Sequence, residues 1–130
     1  MREKGDESAK KTLIHDRRRY PRLKGGFEVE FRPMDALGAF KKSLAEDMNL
    51  GGLRIDLPKS ANALLLNQLV ELNLNDPSGN LEPLNAMGKV VWIQKRDHGR
   101  GFEAGILLTY MKEEVRRRFA CYLEDQLSAQ

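Results

Sequence analysis

Phe27-Glu28-Val29-Glu30-Phe31-Arg32 alternates an apolar with a charged residue at every step. Side chains of an extended strand point to opposite faces in turn. This period of two therefore places Phe27, Val29 and Phe31 on a buried face and the charges in water. The alternation recurs downstream. Leu53, Ile55 and Leu57 are interleaved with Arg54 and Asp56, and Val70, Leu72 and Leu74 with Glu71, Asn73 and Asn75. A strand between these runs is expected to end at about Asp47, and two later strands are expected over residues 87–95 and 102–109. Punctuation falls between them. Pro33-Met34-Asp35-Ala36-Leu37-Gly38 reads as a hairpin loop and Pro58-Lys59-Ser60 as a break. Asp76-Pro77-Ser78-Gly79 and Asp97-His98-Gly99-Arg100-Gly101 are turns by composition. Residues 61–67 are expected to hold a helical turn. Six short strands separated by turns make a mainly β chain, a small closed or nearly closed barrel.

The period changes near the C-terminus. Val115, Phe119 and Tyr122 fall at helical spacing, with Leu123 and Gln126 adjoining. Arg116, Arg117, Arg118, Glu124 and Asp125 take mostly other faces, so a solvated arginine face is expected. Glu113 and Glu114 open the segment, where a helix dipole favours negative charge. This helix is expected to cover an edge or an open end of the barrel.

The chain has 130 residues, 41% hydrophobic and 32% charged, which suits one domain with its own core. No apolar run approaches the ~20 residues of a membrane span, so no membrane insertion is expected. Residues 1–8 carry no apolar stretch of the secretory type. Cys121 is the sole cysteine and offers neither an internal disulfide nor a cysteine metal cluster, so a reducing cytoplasm is expected. The net charge of +3 is uneven. Residues 1–24 hold nine Lys/Arg against four Asp/Glu, and the rest thirteen against fifteen. A broad cationic face for duplex nucleic acid is therefore not expected. Residues 1–15 are polar and aperiodic, as in a flexible N-terminal tail.

Catalytic chemistry has little to work with. His15 and His98 stand in polar or turn-like surroundings, with no nucleophile or metal-ligand spacing beside them, and no Gly-rich phosphate loop is present. No enzyme activity, metal or cofactor is expected. The informative stretch is Asp16-Arg17-Arg18-Arg19-Tyr20-Pro21-Arg22, with four arginines in six positions. Pro21 biases Tyr20 away from helix. Each guanidinium is a planar, permanently charged fork that can grip phosphate, pair with a guanine edge, or stack on a base. A basic leader for RNA or acidic lipid has the same composition. The second stretch is Asp47-Met48-Asn49-Leu50-Gly51-Gly52. Its Asp can accept from the N1–H and N2–H₂ edge of guanine, its Asn can donate and accept, and its glycines permit close backbone approach. The same residues also make an ordinary turn.

Taken together, Arg17-Arg18-x-x-x-Arg22 followed about 25 residues later by Asp47-x-Asn49-x-x-Gly52 resembles the PilZ domain. That family carries Arg-x-x-x-Arg and Asp/Asn-x-Ser-x-x-Gly. Gly88-Lys89-Val90-Val91-Trp92-Ile93 and Phe102-Glu103-Ala104-Gly105-Ile106 resemble its late strand pair. The resemblance covers about residues 16–125 and implies a six-stranded antiparallel β-barrel with a C-terminal α-helix, occupying residues 16–127. It also implies a bacterial receptor for cyclic di-GMP that passes the signal to a downstream protein. By the same resemblance, Arg18 and Arg22 stack on guanine and grip its edge or the phosphates, and Arg17 assists. Asp47 and Asn49 read a guanine, and Gly51 and Gly52 shape the loop. Trp92 could line the site, but a place in the core is favoured for it, and Arg19 is expected in solvent. One departure stands out: Asn49 replaces the usual Ser. That change admits a protein-interaction module independent of nucleotide. A single-stranded nucleic-acid binder is a further alternative, opposed by the acidic body and only nine aromatic residues.

Overall fold

The computed structural model describes residues 23–35, 38–57, 64–96 and 101–128; of residues 24–26 it describes the backbone alone. The N-terminal segment with Arg17, Arg18, Arg19, Arg22 and His15 lies outside the described residues, as do His98 and most of its turn. The elements are β1 (Leu23–Pro33), β2 (Lys41–Asn49), β3 (Gly52–Leu57), β4 (Leu69–Asn75), β5 (Leu84–Lys95), β6 (Phe102–Tyr110) and α1 (Glu113–Ser128). All neighbouring strands are antiparallel, and the sheet closes in the order β1-β2-β3-β6-β5-β4. This is the expected six-stranded barrel with a C-terminal helix.

The alternation that predicts the strands also fills the barrel. Phe27, Val29, Phe31, Ile55, Val70, Leu72, Leu74, Leu84, Val90 and Ile106 point inward and are buried almost completely. Among the described strands, closure leaves no free sheet edge to template aggregation. At the β1–β4 seam Arg32 sits opposite Glu71 and donates to its Oε1 from Nε at 3.0 Å. The same guanidinium lies 4.3 Å from the Phe40 ring centre.

Helix α1 buries Val115, Phe119 and Leu123, one per turn. Phe119 is fully buried, and Tyr122 meets Phe27 edge-on with ring centres 5.4 Å apart. The Tyr122 hydroxyl bonds to Asp76, and burial together with that carboxylate pushes its pKa up to about 12. Arg116 and Arg117 are exposed as expected, with Arg117 3.3 Å from Glu113. Arg118 is half-buried and lies 3.7 Å from Glu82.

Three local expectations shift. Strand β5 starts at Leu84, before Met87, because buried Leu84 and Ala86 continue its inward row. Strand β2 runs to Asn49. A turn closed by the bond from Gln68 N–H to the Leu65 carbonyl at 3.1 Å holds Asn67 at φ 69°, a left-handed value that asparagine tolerates and a helix does not; residues 61–63 lie outside the described residues. Among the described residues no helix is long and apolar enough to cross a membrane.

Candidate functional site

Two breaks in register shape one end of the barrel. Strand β2 slips against β3 between Ala45 and Asp47, and β5 slips against β6 between Val90 and Trp92. A bulge re-aims the residues beside it. Alternation therefore lapses at the end of β2, where Asp47, Met48 and Asn49 are all buried in succession. Between the two slips lies a cleft of about 310 Å³ lined by Asp47, Asn49, Gly51, Gly52, Arg54 and Trp92, with Val91 and Gly105 among its other walls. Four residues singled out in sequence, Asp47, Asn49, Gly51 and Gly52, thus share one cavity.

The turn between β2 and β3 is organised from Asn49. Its Oδ1 accepts from Gly51 N–H at 2.7 Å and from Gly52 N–H at 3.0 Å, and the residue is 1% exposed. This is an Asx turn, in which a side-chain carbonyl replaces a backbone acceptor. Gly52 opens β3 opposite Leu107. A Cβ there would press inside contact distance of the Ile106 carbonyl oxygen, so a bare backbone is required.

The registers place Asp47 opposite Arg54, Arg54 opposite Gly105, and Gly105 opposite Trp92. One outward row therefore carries a carboxylate, a guanidinium, a gap and an indole across four strands. The gap matters: a Cβ on Gly105 would collide with the Trp92 indole, which lies over that glycine. Trp92 is half-buried in the cleft wall rather than in the core, because the slip after Val90 takes it out of the inward row.

Sequence reasoning missed the charge lattice beneath this row. Asp47 is 7% exposed, and its Oδ2 lies 3.1 Å from Arg54 Nη2. Arg54 also reaches Glu46 at 3.4 Å and Glu103 at 3.2 Å. Arg96 joins Glu46, Asp56 and, at 3.7 Å, Glu103. Burial opposes the Arg54 charge, but the Asp47 and Glu46 carboxylates outweigh it and raise the pKa. The sequence signal is the set of charges Glu46, Asp47, Arg54, Asp56, Arg96 and Glu103 scattered over β2, β3, the end of β5 and β6, which only the register brings together.

Glu46 and Asp56 are hydrogen-bonded to each other. Burial, then the Glu46 bond and charge, push Asp56 up to about 6. The bond to Asp56 and the bond from Arg96 hold Glu46 below its ordinary value. The folded chain thus keeps a proton on Asp56 that the unfolded chain releases from about 3.9 upward. Its contribution to stability is complete below that value and is lost as pH rises through about 6. Asp56→Asn mimics the protonated form. Melting temperatures across pH 4 to 8 are expected to show the variant gaining on the natural chain between about pH 4 and 6 and holding a constant offset above. A constant offset throughout would contradict the shared proton.

The class is a small closed β-barrel with one C-terminal helix, notched at the β2–β3 turn by a polar cleft. The sequence matches the PilZ domain over residues 16–125, and the chain belongs to the PilZ family. No curated protein matches it in sequence. Solved structures share the fold. The Bacillus subtilis inhibitor of motility MotI/DgrA superposes with a TM-score of 0.73 at 12% identity, covering 98% of this chain and 57% of that one. The PilZ domain of Escherichia coli YcgR with c-di-GMP gives 0.68 at 14% identity, over 87% of this chain and 93% of that one. The K. pneumonia MrkH–c-di-GMP complex gives 0.62 at 16% identity, over 85% and 52%. The chain thus spans about half the length of MotI/DgrA and MrkH.

Proposed function

We propose that this protein is a receptor for cyclic di-GMP, built on a domain of residues 16–127, whose surface changes on binding and is read by a downstream protein in motility, polysaccharide or biofilm control. One juxtaposition carries the reading. In the β1–β2 ladder Leu23 pairs with Met48, between Asp47 and Asn49. Leu23 is thereby held beside the stretch that lines the cleft, and Arg22 is its neighbour in sequence. Residues about 25 apart in sequence thus converge on one place.

The chemistry is complementary. A cyclic dinucleotide of guanine offers two phosphates, flat bases, and a donor edge at N1 and N2. Arginines 17, 18 and 22 suit the phosphates and the base faces. The Asp47 carboxylate suits the donor edge, and the Trp92 indole supplies a wall on which a base can stack. Asn49 has its Oδ1 engaged in the turn, so its role is to hold Gly51 and Gly52 in place for close approach. The YcgR PilZ domain and MrkH, both solved with c-di-GMP, support the same ligand.

Trp92 is the sole tryptophan, so its emission is a built-in reporter of the cleft. Titration of the full chain with cyclic di-GMP is expected to give saturable heat in calorimetry and a parallel change in Trp92 fluorescence. No heat and no emission change at about 50 μM nucleotide, near −6 kcal/mol, would overturn the reading.

A further inference from the structure

Arg54 stands at the centre of the outward row. Its two terminal nitrogens contact carboxylates from both neighbouring strands, Glu46 and Asp47 on β2 and Glu103 on β6. Its Nε is enclosed, with no hydrogen-bond partner among the described residues. Such a head has little freedom to turn. A guanidinium plane held by several carboxylates fixes their orientation in return, as a lysine point charge cannot. Glu46 and Glu103 also reach Arg96, so they stay near a cation if Arg54 is replaced.

We infer that Arg54 is a positioning residue for guanine recognition: it aims the Asp47 carboxylate at the donor edge of the base. The inference rests on the reading of this cleft as a guanine nucleotide site. It assigns Arg54 no contact with the nucleotide. A carboxylate turned out of the paired geometry keeps the bond to N1–H and loses the one to N2–H₂, while phosphate contacts made elsewhere persist. Replacing Arg54 should therefore damage discrimination between bases more than general affinity.

The test compares cyclic di-GMP with its inosine counterpart, whose hypoxanthine lacks the N2 amino group. The natural chain is expected to prefer the guanine ligand by about tenfold, the scale of one hydrogen bond to a charged group. Arg54→Lys, which keeps the charge, and Arg54→Gln, which removes it, are each expected to weaken cyclic di-GMP binding by about tenfold and the inosine ligand by about twofold or less. On an Asp47→Asn background the same replacements are expected to add about twofold or less, since there is no carboxylate left to aim. Natural-like guanine preference in Arg54→Lys would overturn the inference, as would equal weakening of both ligands or full multiplication of effects on Asp47→Asn. Cooperative melts of each variant separate these outcomes from unfolding, and the milder lysine variant keeps the test open if Arg54→Gln fails to fold. A natural chain that binds neither nucleotide would instead defeat the receptor reading itself.

Discussion

Arg18→Ala and Arg22→Ala are each expected to weaken cyclic di-GMP binding by about a hundredfold while the melting temperature moves by about 2 °C or less. The magnitude follows from what one arginine supplies to such a ligand. A charge-assisted hydrogen bond is worth about 1.5–3 kcal/mol, and stacking on a base about 1–3 kcal/mol. Losing both, less some redundancy among neighbouring arginines, leaves about 3 kcal/mol. The small stability effect follows from the core. Among the described residues the buried set runs from Leu23 to Leu123 and is supplied mainly by the strands and α1. Calorimetry and thermal melts on the same samples separate the two quantities. Arg17→Ala is expected to cost about tenfold by the same scale. Unchanged nucleotide affinity in both Arg18→Ala and Arg22→Ala would remove the arginine segment from the site.

Much of the barrel was legible because burial is one-sided. Phe27, Val29 and Phe31 could lie on one face only if the backbone was extended, and a slip by one residue would expose all three. The helix was legible for the matching reason, since Val115, Phe119 and Leu123 recur every four residues. Strand ends were less so. Leu84 and Ala86 follow Pro83 and Leu81 with no clean alternation, and their burial depends on β4, which no local pattern announces.

The candidate site was legible as residue types and illegible as geometry. Asp47, Asn49, Gly51 and Gly52 stand close in sequence, so any turn between two strands brings them together. Arg54, Gly105 and Trp92 join them only through the registers of three further ladders, two of which contain the slips that alternation cannot foresee. Trp92 shows how such a slip decides between two places open to one residue, the core and the site lining. An inward period carried forward from Val90 places it in the core, whereas one irregularity turns it into the cleft wall. Asn49 illustrates a different gain. A side chain chosen for its donor and acceptor proves to have its acceptor committed to the turn, a duty the shorter Ser hydroxyl can also perform.

Gly52→Ala is expected to lower stability by about 3 kcal/mol, or a melting temperature lower by about 10 °C, and to abolish measurable nucleotide binding. The added Cβ would sit against the Ile106 carbonyl oxygen, 3.4 Å from its carbon and 3.5 Å from Leu107 Cα. Those are backbone atoms, so no rotamer change relieves them. The β3 and β6 strands must part where Gly52 faces Leu107, and the bond from Leu108 N–H to Gly51 carbonyl, 3.0 Å long, lies beside that point. The turn is drawn in as well, because Gly52 N–H is one of the two donors that Asn49 Oδ1 holds. Gly38→Ala is the control. A Cβ there meets nothing within 4 Å, so its melt should match the natural chain within about 2 °C. Equal melts for the two variants would mean that the strands do not approach so closely at Gly52. A destabilised Gly52→Ala that still bound nucleotide normally would detach the turn from recognition. The joint loss expected here follows because the glycine that lets β3 lie against β6 is also one of the two that Asn49 fastens at the floor of the cleft.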